Sequence, residues 1–528
     1  MLGAPAFLHP TRAGAHEPAP ATHPATAAAA DAAIAASPLP GLARFAELAV
    51  SQATDAGATY ADARLVRWRS DHVAVRDDHV SKLSSEDEIG IGVRVLVDGG
   101  WGFAATHSVD APSVRAATKR AVSAAKRAGA LRAATGAGPV TLAAAPAAKG
   151  QWVSPHAVDP FTQSVGDKAA LLLDATKAVL GVAGVAHARA SVAVVGEDKL
   201  LVTSDGTHIH QVFYRLMPQL SATAVDRRRG GFASANHEAA PMLGGWDYVT
   251  GLGLADAGVG VGQLAVQKLG AASVTPGVKS VVLAPSNLWL TIHESIGHPT
   301  ELDRAMGLEA DYAGTSFLRP QDAGQLQLGA ERVTLMADRT QPGGLATTAW
   351  DDEGVASQRW PIVERGKFVG WQTTRDQAAW VGEPSSRGCA YGQRYRGVQF
   401  QRMPNISLQP GSEGYTTEDL INATEDGIYV TGRGSWSIDQ QRYNFQFSGQ
   451  SFWEIKRGRL TRPLKDVAYQ ANTVEFWKSC DMLGGEGTYR LGGSFHDGKG
   501  QPGQSNAVSH GCPPARFSAN IVNTAGTR

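Results

Sequence analysis

Thr291-Ile-His-Glu-Ser-Ile-Gly-His-Pro-Thr-Glu301 sets two histidines, His293 and His298, five residues apart, with the carboxylate of Glu294 directly after the first. On a regular helix a spacing of four turns side chains by about 40°, and a spacing of five by about 140°. Two rings five apart converge only if the helix takes in an extra residue, as a π-type turn does, or breaks between them. The sequence supplies a break: Gly297 frees the backbone, and Pro299 lacks an amide hydrogen and disfavours α geometry at His298. The run therefore reads as a helix that begins near Ser286, turns Leu288, Ile292 and Ile296 inward and ends irregularly at His298.

Two neutral imidazoles are ligands for a divalent cation, while Glu294, one position on and too far round to ligate, is placed to take a proton from water. That combination points to a metal-dependent amide hydrolase. The plainer alternative is three polar residues on an amphipathic helix. A catalytic zinc normally has three protein ligands and one open position, so a third donor is required. The glycine-rich segment near the C-terminus offers four: His496, Asp497, His510 and Cys512.

With these residues in hand the chain resembles the TldD/PmbA family of metallopeptidases, also called modulators of DNA gyrase. The resemblance rests on the His-Glu-x-x-x-His run with Glu301-Leu-Asp303 after it, and on Asp351-Asp-Glu-Gly354, Ser386 to Tyr391 and Arg402-Met-Pro-Asn405. Gly427-Ile-Tyr-Val430, Gly498-Lys-Gly-Gln-Pro502 and Gly90 to Thr106 extend it over most of the chain beyond about residue 40. It implies that the two histidines and a later cysteine bind zinc, with the glutamate as base. The cysteine position, just before a Gly-Lys pair, is here Asp497. Asp497 is accordingly the expected third ligand, with His496, His510 and Cys512 as alternatives. Oxygen is a harder donor than sulfur, so manganese or iron competes with zinc as the native metal. The family also contains non-catalytic members without the metal motif; this chain keeps the motif and falls on the TldD-like side. Homodimers, or heterodimers with a paralogue, are implied as well.

Composition fits a folded chain of more than one domain: 528 residues, 43% hydrophobic and 19% charged. The 49 basic residues balance the 49 acidic ones, which argues against general nucleic-acid binding, since phosphate recognition shows as a basic domain or stripe. Cys389, Cys480 and Cys512 are odd in number and form no Cys-x-x-Cys pair, as in a reducing compartment. Cys480 reads as a packed thiol, and Cys389 lacks a nearby histidine to activate it. No apolar run is long enough to span a bilayer and no secretory signal is evident, so the expected location is the cytoplasm.

The expected fold is α+β. Residues 1–38, rich in alanine and proline with His9, His16 and His23, read as a disordered leader; residues 39–275 as an α/β domain of helices and antiparallel strands; residues 276–528 as a mainly β domain carrying the metal-binding helix. Leu42, Phe45, Leu48 and Ala49 have helical spacing, and Ile91, Val93, Val95 and Val97 alternate into an Asp98-Gly99-Gly100 turn. A helix opens at Pro112 and is expected to end at Gly129. Asp167 to Leu180 reads as another helix, Ala186–Val195 and Lys199–Thr203 as two paired strands, and Ser280–Leu283 as the strand feeding the motif. A β-rich domain beside such a helix can accept an extended peptide along a strand edge, which favours unfolded or short peptides as substrates. A non-catalytic subunit and a small-molecule amide hydrolase are the competing readings.

Overall fold

The structure, a computed structural model, describes residues 27–228 and 230–525. Its N-terminal half is built on one large sheet whose strands run in the order Gly100–Thr106, His79–Val97, Tyr60–Arg76, Val185–Thr203, His208–Asp226 and Lys149–Val153. Neighbours are antiparallel, except that Lys149–Val153 runs parallel to His208–Asp226. Helices Leu39–Asp55 and Ala111–Thr135 cover one end of this sheet around Leu65, Val93 and Val114. Helices Val165–Leu180 and Leu254–Lys268 cover the other around Leu172, Val192 and Leu216.

Alternation along the strands decides how the two halves meet. Ile91, Val93, Val95 and Val97 turn toward the helices, and Arg94, of opposite parity, turns toward the C-terminal half, where it pairs with Asp62 and Glu353. The same logic corrects one expectation. Ala186–Val195 and Lys199–Thr203 are a single strand, Val185–Thr203. Gly196-Glu197-Asp198 looks like a turn in sequence, but Glu197 pairs with Arg215 and Asp198 with His210, both buried within the sheet. The helix opening near Pro112 also runs past Gly129 and stops at Gly136. Of the expected leader, residues 1–26, with all three histidines, lie outside the described residues; Ala27–Ala35 is a helix whose Ala33 packs near Val212 and Tyr214.

The C-terminal half is strand-rich, which makes the fold α+β as the sequence indicates. Strands Asp426–Ile438, Gly277–Leu283, Ala515–Asn523, Val467–Asn472 and Asn444–Lys456 follow one another, and the first also pairs with the last, so the five close into a ring. Against this ring lie a four-stranded sheet centred on Arg359–Glu364 and Leu335–Asp338, and a separate hairpin, Arg490–Lys499 with Gln504–Cys512. One core joins them, including Ile292, Ile296, Trp360, Phe447, Trp477 and Phe517. The motif helix runs through that core, packed by Leu288, Ile292 and Ile296, and carries His293, Glu294 and His298 with it.

Candidate metal centre

Strand Gly277–Leu283 leads into an α-helix over Pro285–Ile292, which widens into a π-turn over His293–Gly297 and tightens into a 3-10 turn over His298–Thr300. The His298 amide donates to the His293 carbonyl five residues back, so the extra residue falls between the two histidines. Three features hold the turn. Gly297 sits so close to Met403 that a Cβ there would lie 2.5 Å from Sδ. Gln372 Nε2 donates to the Gly297 carbonyl at 2.6 Å, and Thr300 Oγ1 donates to the Ile296 carbonyl at 2.7 Å.

The hairpin lies over the motif helix at short range: a Cβ on Gly492 would come within 2.3 Å of the Trp289 ring. The strand pairing shifts between Ser494 and Asp497, and Asp497 turns inward there while His496 turns out to solvent. Asp497 Oδ1 then stands 3.7 Å from His293 Nε2 and 3.6 Å from His298 Nε2. One donor atom from each of the three residues lies within 4.8 Å of the other two. Tetrahedral ligands about 2.1 Å from a zinc ion stand roughly 3.4 Å apart, close to the two distances from Asp497 to the rings.

The hydrogen bonds behind the rings orient both lone pairs toward that point. His510 Nδ1 lies 2.8 Å from the Ile406 carbonyl, which only accepts, so that nitrogen carries the proton. A neutral His510 then accepts at Nε2, and His293 Nδ1, 2.8 Å away, must donate to it. Likewise His298 Nδ1 donates to Glu301 Oε2 at 2.8 Å. Both Nε2 atoms are left unprotonated and facing Asp497. This is the support that metal-ligating histidines usually receive from a carboxylate or a backbone carbonyl, the latter here relayed through a second ring.

Burial sets the charge states. It lowers His293 to about 3, helped by Arg442, and takes His298 well below its ordinary value, so both rings are neutral near pH 7. Burial also raises Asp497 to about 6, against the pull of Arg402, whose Nη2 is 3.2 Å from Oδ2. Glu294 is raised by burial too, although Arg442 is in direct contact with it. Behind His298, burial would raise Glu301, but Lys499 and Arg304 outweigh it and hold Glu301 charged. Lys499 Nζ reaches Glu301 and Asp303 at 3.0 Å and Glu309 at 2.9 Å.

Of the alternatives for third donor, His510 stands behind His293, and Cys512 points to the Pro285 carbonyl at 3.7 Å. Cys389 is buried and its thiol is pushed up to about 12; burial raises Cys480 and Cys512 as well. Arg387 pairs with Glu383, and Tyr391 donates to Glu197. Arg442, in the turn between strands Asp426–Ile438 and Asn444–Lys456, has no signal in the sequence. Glu301, Lys499 and Arg402 do have one, because they fall inside the family-like stretches.

Two imidazoles and a carboxylate facing one point, with a second carboxylate beside them, form a donor set of the mononuclear metal-site class. Three family models match the chain: PmbA/TldA metallopeptidase domain 1 at residues 61–125, the central domain at 158–272 and the C-terminal domain at 276–522. The chain belongs to the PmbA/TldA metallopeptidase family. It is 29% identical over 467 residues to a metalloprotease of Methanothermobacter thermautotrophicus, covering 88% of this chain and 95% of that one. A zinc metalloprotease TldD homologue of Saccharolobus solfataricus is 26% identical over 249 residues, 47% of this chain and 52% of the other. Among solved structures, a modulator of a DNA gyrase from Thermotoga maritima aligns with TM-score 0.71 at 15% identity, over 91% of this chain and 99% of that one. TldE from Thermococcus kodakarensis aligns with TM-score 0.68 at 16% identity, over 90% and 100%. Both share the fold.

Proposed function

We propose that this protein is a metal-dependent peptidase in which His293, His298 and Asp497 hold the cation and Glu294 is the general base. The observation that carries the reading is the convergence of two Nε2 lone pairs on the Asp497 carboxylate, with Glu294 adjoining His293 on the same turn. When bound, the cation would polarise the scissile carbonyl and acidify water. The residues supply the rest. Glu294, raised by burial, takes the proton of the attacking water and passes it to the departing amine. Arg442 holds the Glu294 carboxylate in place.

Zinc is the first expectation and is named for a relative, while the carboxylate donor also suits manganese or iron. Strand Arg490–Lys499 bears Asp497 and is paired on one side alone among the described residues. An unfolded peptide adding to its free edge would bring an amide toward the donors. Among the described residues no helix is long and apolar enough to cross a membrane. A cytoplasmic enzyme, working as a homodimer or with a paralogue, completes the reading.

The test compares wild type with Glu294→Gln and His298→Ala, measuring bound metal and hydrolysis of unstructured peptides and of compact proteins. Glu294→Gln should keep its metal and lose turnover by about 100-fold or more, and His298→Ala should lose both. Wild type should cut peptides and spare folded proteins. Equal metal content in wild type and His298→Ala would refute the site, and a loaded wild type that cleaves only small-molecule amides would move the substrate class.

A further inference from the structure

Between the two halves lies a narrow cleft, lined from the N-terminal sheet by Lys199 and Arg215 and from the C-terminal half by Arg339, Arg402, Asp351 and Asp352. Five of these six charged groups are already matched. Lys199 reaches Asp352 at 3.0 Å, and Asp352 also takes Arg64. Arg215 pairs with Glu197 at 2.7 Å. Asp351 accepts the backbone amides of Glu353, Val355 and Ala390. Arg402 is held by Asp497, Asn506 and the Gln504 carbonyl.

Arg339 is the exception. It is only 5% exposed, its Nε is buried without a partner, and its guanidinium makes no hydrogen bond or ion pair among the described residues. Asp351 acts on it electrostatically, but both carboxylate oxygens accept backbone amides and neither accepts from the guanidinium. Buried guanidinium donors that nothing accepts are costly, and a planar fork of donors matches a carboxylate. Arg402 touches both places: it lines the cleft and donates to Asp497, so a group in the cleft sits one side chain from the donor set.

We propose that the cleft is a carboxylate-binding subsite in which Arg339 pairs with a carboxylate of the bound peptide. This rests on the peptidase reading and deepens it: the substrate is anchored by a negative charge beside the scissile bond. The carboxylate comes either from the peptide's C-terminus, which would confine cutting to that end, or from an acidic side chain.

The test uses metal-loaded full-length protein carrying Glu294→Gln, so that peptides bind without turnover. Four fluorescein-labelled unstructured peptides are compared by anisotropy: free acid or carboxamide at the C-terminus, each with glutamate or glutamine inside. One carboxylate should tighten binding by about tenfold or more, and adding Arg339→Gln should erase that gain while the carboxamide–glutamine peptide binds as before. The acid–amide pair or the Glu–Gln pair, whichever shows the effect, identifies the source. Arg339→Gln should also melt no lower than its parent, because it removes buried donors that nothing accepts, so loss of binding is separable from loss of fold. Equal affinities for all four peptides, a carboxylate preference that survives Arg339→Gln, or no peptide binding at all overturns the subsite. Failure of the peptidase reading shows separately, as unchanged peptides after incubation with loaded wild type.

Discussion

At the scale of single residues, the position the sequence flagged as unusual is where chemistry is most exposed to test. Asp497 stands where the family resemblance implies a cysteine, and the structure turns its carboxylate onto both Nε2 atoms. Replacing a soft thiolate with a hard oxygen weakens discrimination in favour of zinc. Asp497→Cys should therefore raise zinc affinity over manganese relative to wild type, and Asp497→Asn should lower affinity for both; competition titration with a chromogenic chelator measures each. A second prediction concerns His510. By accepting from His293 Nδ1 it keeps the Nε2 lone pair free, so His510→Phe should lower metal affinity by about 10- to 100-fold while leaving all three donors in place. Unchanged affinity would mean that packing alone orients the His293 ring. His293, Glu294 and His298 stand out in the sequence by residue type and spacing, and Asp497 by the position the family resemblance gives it; the structure brings the three possible donors together. Arg442 and the relay through His510 carry no such signal. Those depend on segments about 150 and 220 residues away being brought against the helix, and no local pattern encodes that.

At the scale of elements, the π-turn over His293–Gly297 brings the two rings of a five-residue spacing to one side. The spacing alone leaves a π-turn and a helix break open, with Gly297 and Pro299 pointing to the break, and the support of the turn has no sequence signal. The Met403 side chain fills the space beside Gly297, so Gly297→Ala forces a Cβ against sulfur and should destabilise the protein by about 1–3 kcal/mol by overpacking. Trimming the neighbour with Met403→Ala in the same chain should recover much of that loss. Urea denaturation of the two single variants and the double variant gives the coupling; additive losses would show that the π-turn, rather than the methionine, resists the methyl group. Val185–Thr203 differs from its sequence reading for a physical reason: Gly196-Glu197-Asp198 has the composition of a turn, yet Glu197 and Asp198 are buried in the strand against Arg215 and His210 instead of facing water. Binary patterning assumes that a polar residue faces solvent, and it fails where a buried face is ionic.

At the scale of the whole molecule, that ionic face is what joins the halves. Arg64 of the N-terminal sheet donates to Asp352 at 2.8 Å and to the Arg394 and Gly397 carbonyls, and Lys199 reaches the same carboxylate at 3.0 Å. All these side chains are buried, so removing one partner strands the rest. Arg64→Met should cost roughly 3–5 kcal/mol near pH 7, the usual loss when one member of a buried pair is deleted. The pH dependence follows from the sign of the Asp352 shift. Burial alone would raise its pKa, but Lys199 and Arg64 outweigh that and hold it below the ordinary carboxylate value. A folded pKa below the unfolded one gives stability that is complete above the unfolded value, about 4, and is lost as pH falls through the folded value. Glu353, pushed up to about 7 by burial, has the opposite sign, so the absolute stability of wild type mixes the two. The difference between wild type and Arg64→Met separates them, since Arg64 acts on Asp352. The gap in Tm should be widest from pH 5 to 7 and shrink steadily below pH 4, as scanning calorimetry across that range would record. A gap that stays constant down to pH 3 would mean that Arg64 joins the halves through the two carbonyls and not through the charge on Asp352.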